Sequence, residues 1–200
     1  MKTAASELAS NLAMNPRSSG VPSHLGGRMK GVHEDRLSGL RDFLCYAQGS
    51  SVLDIGINRG LIALEFARHG AALVHGCDIH RQGVDTAREI FAEITIPSRF
   101  EIVDLAAGPA ILEAAFSRDY RSRYDIVLFL GVYHQLKEQT SDRVIEELIH
   151  HLVNRTQRFF VTRTMMTDEL QTILANTDLQ KVHFSALSSV VSPLEIWRRN

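Results

Sequence analysis

Acidic residues and glycines recur at three points of the sequence where a short apolar run ends. The first point reads DIGINRG (54–60), the second reads DI (78–79) and the third reads DL (104–105). Glycines at such points let the backbone approach a ligand closely, and a carboxylate at a strand end can accept both hydroxyls of a ribose. The pattern therefore indicates a site for a ligand that contains a nucleoside. Taken alone, the DIGINRG stretch also fits a plain tight turn, and the acid at 104 also fits an exposed loop.

The elements that must position these residues follow from the alternation of short apolar runs and longer amphipathic runs after residue 50, which predicts parallel strands crossed by helices. The predicted strands are 51–55, 73–78, 99–103, 125–131, 158–163, 181–187 and 194–199. The predicted helices are 60–69, 82–94, 108–117, 138–153 and 168–176. Residues 188–193 are too few for a parallel crossover, so the last two strands should pair antiparallel. The expected fold is a Rossmann-like, doubly wound α/β fold with a mostly parallel seven-stranded sheet and an antiparallel C-terminal hairpin.

Length and composition limit the classes of protein to consider. The chain has 200 residues, 44% hydrophobic and 22% charged, with a formal net charge of -1. These values fit one soluble globular domain and exclude a chain that is disordered throughout or strongly basic overall. Two cysteines, Cys45 and Cys77, are too few for a disulfide framework, and we expect both to be buried. No apolar run is long enough to span a bilayer, so a cytoplasmic protein without membrane contact is expected.

The N-terminal stretch differs in composition from the rest of the chain. Residues 16–31 are rich in glycine and proline, and residues 1–41 carry six basic against three acidic side chains. This pattern predicts a basic, flexible segment or lid over residues 1–32, followed by the folded domain over 33–200. Within that domain, the apolar spacing of residues 33–47 predicts a first helix.

The three strand-end points, in this order, resemble the motifs of class I S-adenosylmethionine-dependent methyltransferases. The first motif of that family commonly reads D/E-x-G-x-G-x-G, and here Asn58 stands in place of the middle glycine. Asparagine tolerates left-handed backbone angles better than other non-glycine residues, and a bacterial subgroup with a G-x-N-x-G motif is similar over residues 52–72. The spacing differs from the dinucleotide fingerprint G-x-G-x-x-G.

This resemblance implies S-adenosylmethionine as the cofactor and S-adenosylhomocysteine as the product. It assigns Asp78 to the ribose hydroxyls, Asp104 to the adenine amino group and Leu105 to packing against the adenine ring. The residues that it places at the cofactor are Asp54, Gly56, Ile57, Asn58, Gly60, Asp78, Ile79, Asp104, Leu105 and Gly131.

The segment after the fourth predicted strand holds the candidate catalytic residues. FLGVYHQLK (129–137) resembles the family's fourth motif, where acceptor and methyl donor meet, but it is one residue shorter than the commonest variant. His134 is the candidate general base, because imidazole titrates near neutral pH, and the alternative is that it caps or orients backbone. Tyr133 is expected to line the acceptor pocket or to contact the sulfonium through its ring.

The absence of several motifs narrows the subclass of methyltransferase to which the resemblance points. The loop after the fourth strand lacks a D/N-P-P-Y/F tetrapeptide, and the loops after the fourth and fifth strands lack the carboxylates of metal-dependent enzymes, so no metal is predicted. Neither cysteine lies where a 5-methylcytosine enzyme needs its nucleophile. The leading hypothesis is methyl transfer to oxygen, nitrogen or carbon of a small-molecule acceptor. The alternatives are an RNA methyltransferase, suggested by the basic N-terminal segment and by Arg118, Arg121 and Arg123, and a non-catalytic S-adenosylmethionine-binding protein.

Overall fold

The computed structural model describes residues 36–185 and 192–200. The strands are β1 (Ser51–Ile55), β2 (Leu73–Asp78), β3 (Ser98–Ile102), β4 (Tyr124–Leu130), β5 (Thr156–Arg163), β6 (Leu179–Ser185) and β7 (Leu194–Arg199). The α-helices are α1 (Leu61–Arg68), α2 (Arg81–Ala92), α3 (Ala110–Phe116), α4 (Tyr133–Gln139), α5 (Asp142–Asn154) and α6 (Thr167–Leu174). These bounds lie close to the predicted ones for all seven strands.

One seven-stranded sheet organises the chain, in the order β3-β2-β1-β4-β5-β7-β6. Neighbours from β3 to β5 are parallel, whereas β7 runs antiparallel to both β5 and β6. The strand order reverses between β1 and β4, which is the switch point where ligands bind in doubly wound sheets. The predicted fold class is therefore confirmed, including the antiparallel C-terminal hairpin.

Both sheet faces are covered by apolar side chains, as expected for parallel strands that are buried on two sides. On one face, Val52, Ile126 and Val161 pack with α1, α2 and residues 37–47. On the other face, residues of opposite parity on the same strands pack with α3, α4, α5 and α6. We call these the α2 face and the α5 face.

The segment after β4 differs from the prediction of a loop followed by one helix over 138–153. The structure has two helices, α4 and α5, separated by Thr140 and Ser141. Thr140 is extended, and Ser141 is the N-cap of α5, its hydroxyl accepting a long hydrogen bond of 3.5 Å from the Val144 N–H. Ser141 favours a helix start, and this local capping divides the predicted helix in two.

The predicted first helix also differs from the structure. Of residues 33–47, the structure describes 36 onward, where a turn leads into a 3-10 helix over Asp42–Ala47. Gly39 has a φ of 77°, which interrupts a regular α-helix. The apolar spacing still places Leu40, Phe43 and Leu44 in the core of the α2 face.

Three further predictions concern the burial of the two cysteines, the N-terminal segment and the absence of membrane spans. Cys77 is buried as expected, but Cys45 is exposed, because it lies on the outer side of the short 3-10 helix. The predicted segment over residues 1–32 lies outside the described residues. None of the helices in residues 36–185 and 192–200 has the length and apolar character that a membrane span requires.

Candidate active site

The strand-end residues singled out in the sequence meet at one edge of the sheet. Strands β1, β2, β3 and β4 are parallel, and Ile55 pairs with Cys77 while Asp78 pairs with Ile102. The carboxyl ends of parallel strands open on the same side, so DIGINRG, Asp78, Asp104 and Gly131 surround a common region. The candidate site lies at this carboxyl edge.

The loop after β1 folds back over the end of β2. The backbone N–H groups of Gly56 and Ile57 both donate to the Cys77 carbonyl oxygen, each over 2.9 Å. Left-handed φ angles of 80°, 51° and 74° at Gly56, Asn58 and Gly60 make this tight path possible. Asn58 thus adopts the backbone region that the resemblance requires of the glycine it replaces.

The Asp78 carboxylate accepts hydrogen bonds from this loop and faces the same region. One carboxylate oxygen accepts a hydrogen bond from the Asn58 N–H over 2.8 Å, and the other accepts from the His80 N–H over 2.9 Å. An ionised carboxylate has about four acceptor positions, so both oxygens retain capacity for donors on a ligand. The arrangement suits a pair of vicinal hydroxyls, as a ribose presents.

Two glycines that were not among the predicted site residues allow the β1 loop to pack closely against β2 and α2. A Cβ at Gly76 would lie 2.4 Å from Ile57 Cδ1, and a Cβ at Gly83 would lie 2.8 Å from the Asn58 carbonyl oxygen. The β1 loop and the start of α2 therefore approach more closely than side chains permit. A glycine in the first turn of a predicted helix, where it costs stability, was the signal for Gly83.

Asp54 is a buried carboxyl group without a local partner. Its side chain is 3% exposed and forms no hydrogen bond within the part of the chain that the structure describes. Burial, with a further contribution from the charge of Asp78, raises the pKa of Asp54 to about 7. A buried acid of this kind at a ligand-binding edge is suited to receive a cationic group.

The residues at the β2 and β3 ends differ in exposure. Ile79 is 44% exposed and offers an apolar surface beside Asp78. Asp104 caps the 3-10 helix Leu105–Ala107 by accepting a hydrogen bond of 3.0 Å from the Ala106 N–H, and its side chain is exposed. Leu105 is 7% exposed and packs with the core of the α5 face. Asp104 and Ile79 are thus exposed side chains that follow the ends of β3 and β2.

The end of β4 is open toward solvent at Gly131. This glycine has a φ of 75°, and nothing lies within 4 Å of the position that a Cβ would take. Its N–H donates to the Arg163 carbonyl oxygen over 2.8 Å, which ties the ends of β4 and β5 together. The open volume beside this backbone leaves room for a ligand where donor and acceptor are expected to meet.

The two candidate catalytic residues occupy the first turn of α4 rather than a loop. His134 is exposed, and among the described residues its side chain has no hydrogen-bond partner. Tyr133 is 3% exposed, and its hydroxyl lies 3.5 Å from Oε2 of Glu169 on α6. Burial, followed by the charge of Glu169, raises the pKa of Tyr133. Of the two side chains, His134 is the exposed one and Tyr133 is buried.

No cluster of three or more metal-ligating side chains occurs among the residues that the structure describes.

Comparison with known proteins is consistent with this geometry. The methyltransferase domain family matches residues 52–155, which is more than half of the chain. No curated protein sequence matches this chain significantly.

Solved structures share the fold at low sequence identity. Magnesium protoporphyrin IX methyltransferase from Synechocystis PCC 6803, with bound S-adenosylmethionine, is 17% identical with a TM-score of 0.65, covering 98% of this chain and 97% of that one. The N-methyltransferase NodS from Bradyrhizobium japonicum WM9 is 15% identical with a TM-score of 0.64, covering 84% and 96%. The 16S rRNA methylase RmtB is 18% identical with a TM-score of 0.64, covering 98% and 74%.

The family match points to the same activity as the loop at the switch point and the residues at the carboxyl edge. The chain belongs to the methyltransferase domain family and is an S-adenosylmethionine-dependent methyltransferase.

Proposed function

We propose that this enzyme transfers a methyl group to oxygen, nitrogen or carbon of a small-molecule acceptor that binds over the ends of β4 and β5. The observation that carries the acceptor class is the position of the arginines that had suggested RNA. Arg118, Arg121 and Arg123 precede β4, so they lie near the amino edge of the parallel strands, away from Gly131 and Asp78. A basic surface that serves an acceptor should border the site instead.

Several of the arginines at the amino edge have structural roles. Arg123 donates to the Thr156 carbonyl oxygen over 3.2 Å, and Arg155 donates to the Arg121 carbonyl oxygen over 2.8 Å. Arg155 also pairs with Glu113 over 2.6 Å. These contacts join the starts of β4 and β5 and give Arg123 a structural role that needs no nucleic acid.

The residues around the β1 loop are proposed to hold the cofactor. Asp78 accepts the ribose hydroxyls while it fastens Asn58, and Asp104 with Ile79 and Leu105 borders the adenine. Asp54 receives the amino group of the methionine part, because its buried carboxyl has no hydrogen-bond partner among the described residues. The glycines of the loop allow the backbone to approach the cofactor closely.

Bound S-adenosylmethionine supplies an electrophilic methyl group on a sulfonium, and the products are the methylated acceptor and S-adenosylhomocysteine. The work of the protein is then to orient the acceptor and to exclude water. His134 is proposed to take the proton that an O–H or N–H acceptor loses, since its side chain is exposed on the first turn of α4. Tyr133 is proposed to line the acceptor side of this helix.

A methyl-transfer assay with labelled S-adenosylmethionine tests the proposal. The enzyme is supplied with fractions of small molecules and, separately, with total RNA at two salt concentrations. Label should enter the small-molecule fraction, and the Asp78→Ala variant should abolish this transfer. The Asp85→Asn variant is the matched control, because Asp85 is an exposed acid on α2 paired with Arg88.

Two results would contradict the acceptor class. Transfer to RNA that weakens steeply with salt would favour an RNA methyltransferase. Tight binding of S-adenosylmethionine without transfer to either fraction would favour the non-catalytic alternative.

A further inference from the structure

One lysine on α4 connects the three helices that follow β4 and β5. Lys137 Nζ lies 2.9 Å from Oε2 of Glu169 on α6, and it donates a hydrogen bond of 2.7 Å to Oδ1 of Asp142 on α5. The Tyr133 hydroxyl, which lies one turn earlier on α4, is 3.5 Å from the same Oε2 atom of Glu169. We call Lys137 and Glu169 the α4–α6 pair.

The Lys137 ammonium group is held from two sides. Its side chain is 23% exposed, and the two carboxylates that it contacts belong to different helices. Hydrogen bonds to Asp142 and then to Glu169 raise the pKa of Lys137, so this group stays charged throughout the pH range of an enzyme assay. A lysine shared by two partners has less freedom than one in an isolated surface pair. Its contact with α6 can therefore fix the position of α4.

The helix α4 depends on such contacts because it is short. It spans only residues Tyr133–Gln139, and a helix of this length is marginal in isolation. Tyr133 and Leu136 anchor its inner side in the core of the α5 face. Residues 133 and 137 are four positions apart and lie on one side of the helix. Lys137 thus adds a polar contact to α6 on the side of α4 that Tyr133 also occupies.

The α4–α6 pair joins the two segments over which the acceptor is proposed to bind. The helix α4 begins at Tyr133, soon after β4 ends at Leu130, and α6 begins at Thr167, soon after β5 ends at Arg163. Strands β4 and β5 are parallel neighbours, so both helices begin at the carboxyl edge. A contact between α4 and α6 therefore sets the spacing between the segments that border the acceptor.

His134 is affected by this contact through the backbone of α4. It directly follows Tyr133, and its side chain is exposed. A shift or rotation of a short helix moves every side chain on it, and a displacement of about 1 Å can lower a rate about 100-fold. The placement of α4 thus decides whether the imidazole can reach the proton that an acceptor loses.

We propose that Lys137 and Glu169 are positioning residues for methyl transfer, because their ion pair holds α4 against α6 with His134 directed toward the acceptor. Neither residue needs to touch the cofactor or the acceptor in this role. The inference rests on the proposed function, since it explains how the proposed base is placed. It predicts that loss of the pair lowers turnover and leaves cofactor affinity intact.

Kinetic measurements on three variants test this role. The rate is that of methyl transfer from labelled S-adenosylmethionine to the small-molecule fraction that takes up label, at a saturating amount of that fraction. Lys137→Met and Glu169→Gln should each lower this maximal rate about tenfold, while the Kd for S-adenosylhomocysteine stays within about twofold. The double variant should lose no more than either single variant, because both changes break one contact. Unchanged rates, or losses that add in the double variant, would overturn the proposal.

Two controls separate positioning from folding. Lys137→Arg keeps the positive charge and should restore most of the rate that Lys137→Met loses. Arg143→Met breaks a different ion pair, of 2.9 Å with Glu147 on α5, and should leave the rate unchanged. Calorimetry should find the wild-type number of sites for S-adenosylhomocysteine in every variant. Loss of these sites in proportion to the rate would indicate a purely structural role and overturn the proposal.

Distances between spin labels test the contact without any acceptor. The labels are attached at two exposed positions, through Gln135→Cys on α4 and Thr172→Cys on α6. The background carries Cys45→Ser, because Cys45 is an exposed thiol. Lys137→Met should broaden or shift the distribution of distances between the labels, and Arg143→Met should not. A distribution that Lys137→Met leaves unchanged would overturn the proposal.

Failure of this inference differs from failure of the proposed function. If the wild type transfers label and Lys137→Met matches its rate, the positioning role alone is wrong. If the wild type binds S-adenosylhomocysteine but transfers no label to small molecules, the proposed function is wrong and the inference falls with it.

Discussion

The carboxylate of Asp78 accepts a hydrogen bond from the backbone N–H of Asn58 over 2.8 Å. This contact joins the end of β2 to the loop after β1 across the switch point of the sheet. Because the other carboxylate oxygen accepts from His80, one side chain orders the β1 loop and the start of α2 together. The acid proposed to bind the ribose also shapes the loop around it.

Replacing Asp78 should therefore weaken cofactor binding in two ways at once. In Asp78→Asn, the amide has a single acceptor oxygen, so one of the two backbone contacts is lost along with an acceptor for ribose. We expect the Kd for S-adenosylhomocysteine to rise at least tenfold, which corresponds to about 1.4 kcal/mol. Calorimetry measures this, with Asp85→Asn as the control. An unchanged Kd in Asp78→Asn would refute the ribose role.

The close approach of α2 to the β1 loop predicts an unusual effect of alanine. Within a helix, Gly→Ala normally stabilises by about 1 kcal/mol. Gly83→Ala should instead destabilise by about 1–3 kcal/mol, because the new Cβ would lie 2.8 Å from the Asn58 carbonyl oxygen. Urea unfolding measures the change, and Gln82→Ala at the exposed neighbouring position is the control. A more stable Gly83→Ala protein would show that the loop and helix can separate without cost.

Asp54 should make stability depend on pH in a direction opposite to that of a paired acid. Its pKa rises from 3.8 to about 7 on folding, so it carries no penalty at low pH, and a destabilising penalty grows as pH rises from about 4 and is complete above about 7. Asp54→Asn removes this penalty. The variant should gain stability over wild type at about pH 8 and approach it at about pH 4.

Urea unfolding of both proteins across this pH range provides the measurement. Asp85→Asn, which changes an exposed acid, should show no such divergence. A stability difference between Asp54→Asn and wild type that is the same at every pH would mean that Asp54 does not titrate as inferred.

Because the imidazole of His134 is exposed on α4, we expect its replacement to lower turnover without weakening cofactor binding. With an acceptor that loses a proton, His134→Ala should lower kcat roughly 100-fold or more, the usual contribution of a general base. The Kd for S-adenosylhomocysteine should stay within about twofold, because His134 lies on α4 and not in the β1 loop. His150→Ala on α5 is the control. Parallel losses of kcat and of cofactor affinity would indicate a structural role.

The fold could be predicted from the sequence because the patterns that specify it are local and repeated. Apolar runs of strand length alternate with amphipathic helical runs, and this alternation specifies a parallel sheet whatever the details of the loops. The short connection before β7 likewise specified the antiparallel hairpin. Helix ends were less predictable, since the break at Thr140 and Ser141 depends on one capping residue within an otherwise continuous pattern.

The site was predictable in part for the same reason. The predicted strand ends lie at or beside Asp54, Gly56, Asn58 and Asp78 in the sequence. Parallel strands bring such ends together at one edge of the sheet. Gly83 had one local signal, its place in the first turn of a predicted helix, but the segments that Gly76 and Gly83 approach could not be predicted, because a close approach between segments has no local signature. The role of Asp78 in fastening Asn58 depends on a contact across 20 residues.

The sequence by itself determined the α/β architecture, because this depends on residue order along single strands and turns, and its resemblance to a known family implied the cofactor. Only the tertiary structure decided which charges lack partners. Arg59 Nη1 and Arg163 Nε are buried without a hydrogen-bond partner, and neither the residue type nor the local sequence pattern indicates this. Burial and hydrogen-bond partnership are properties of the assembled chain, since each depends on segments that the local pattern does not connect.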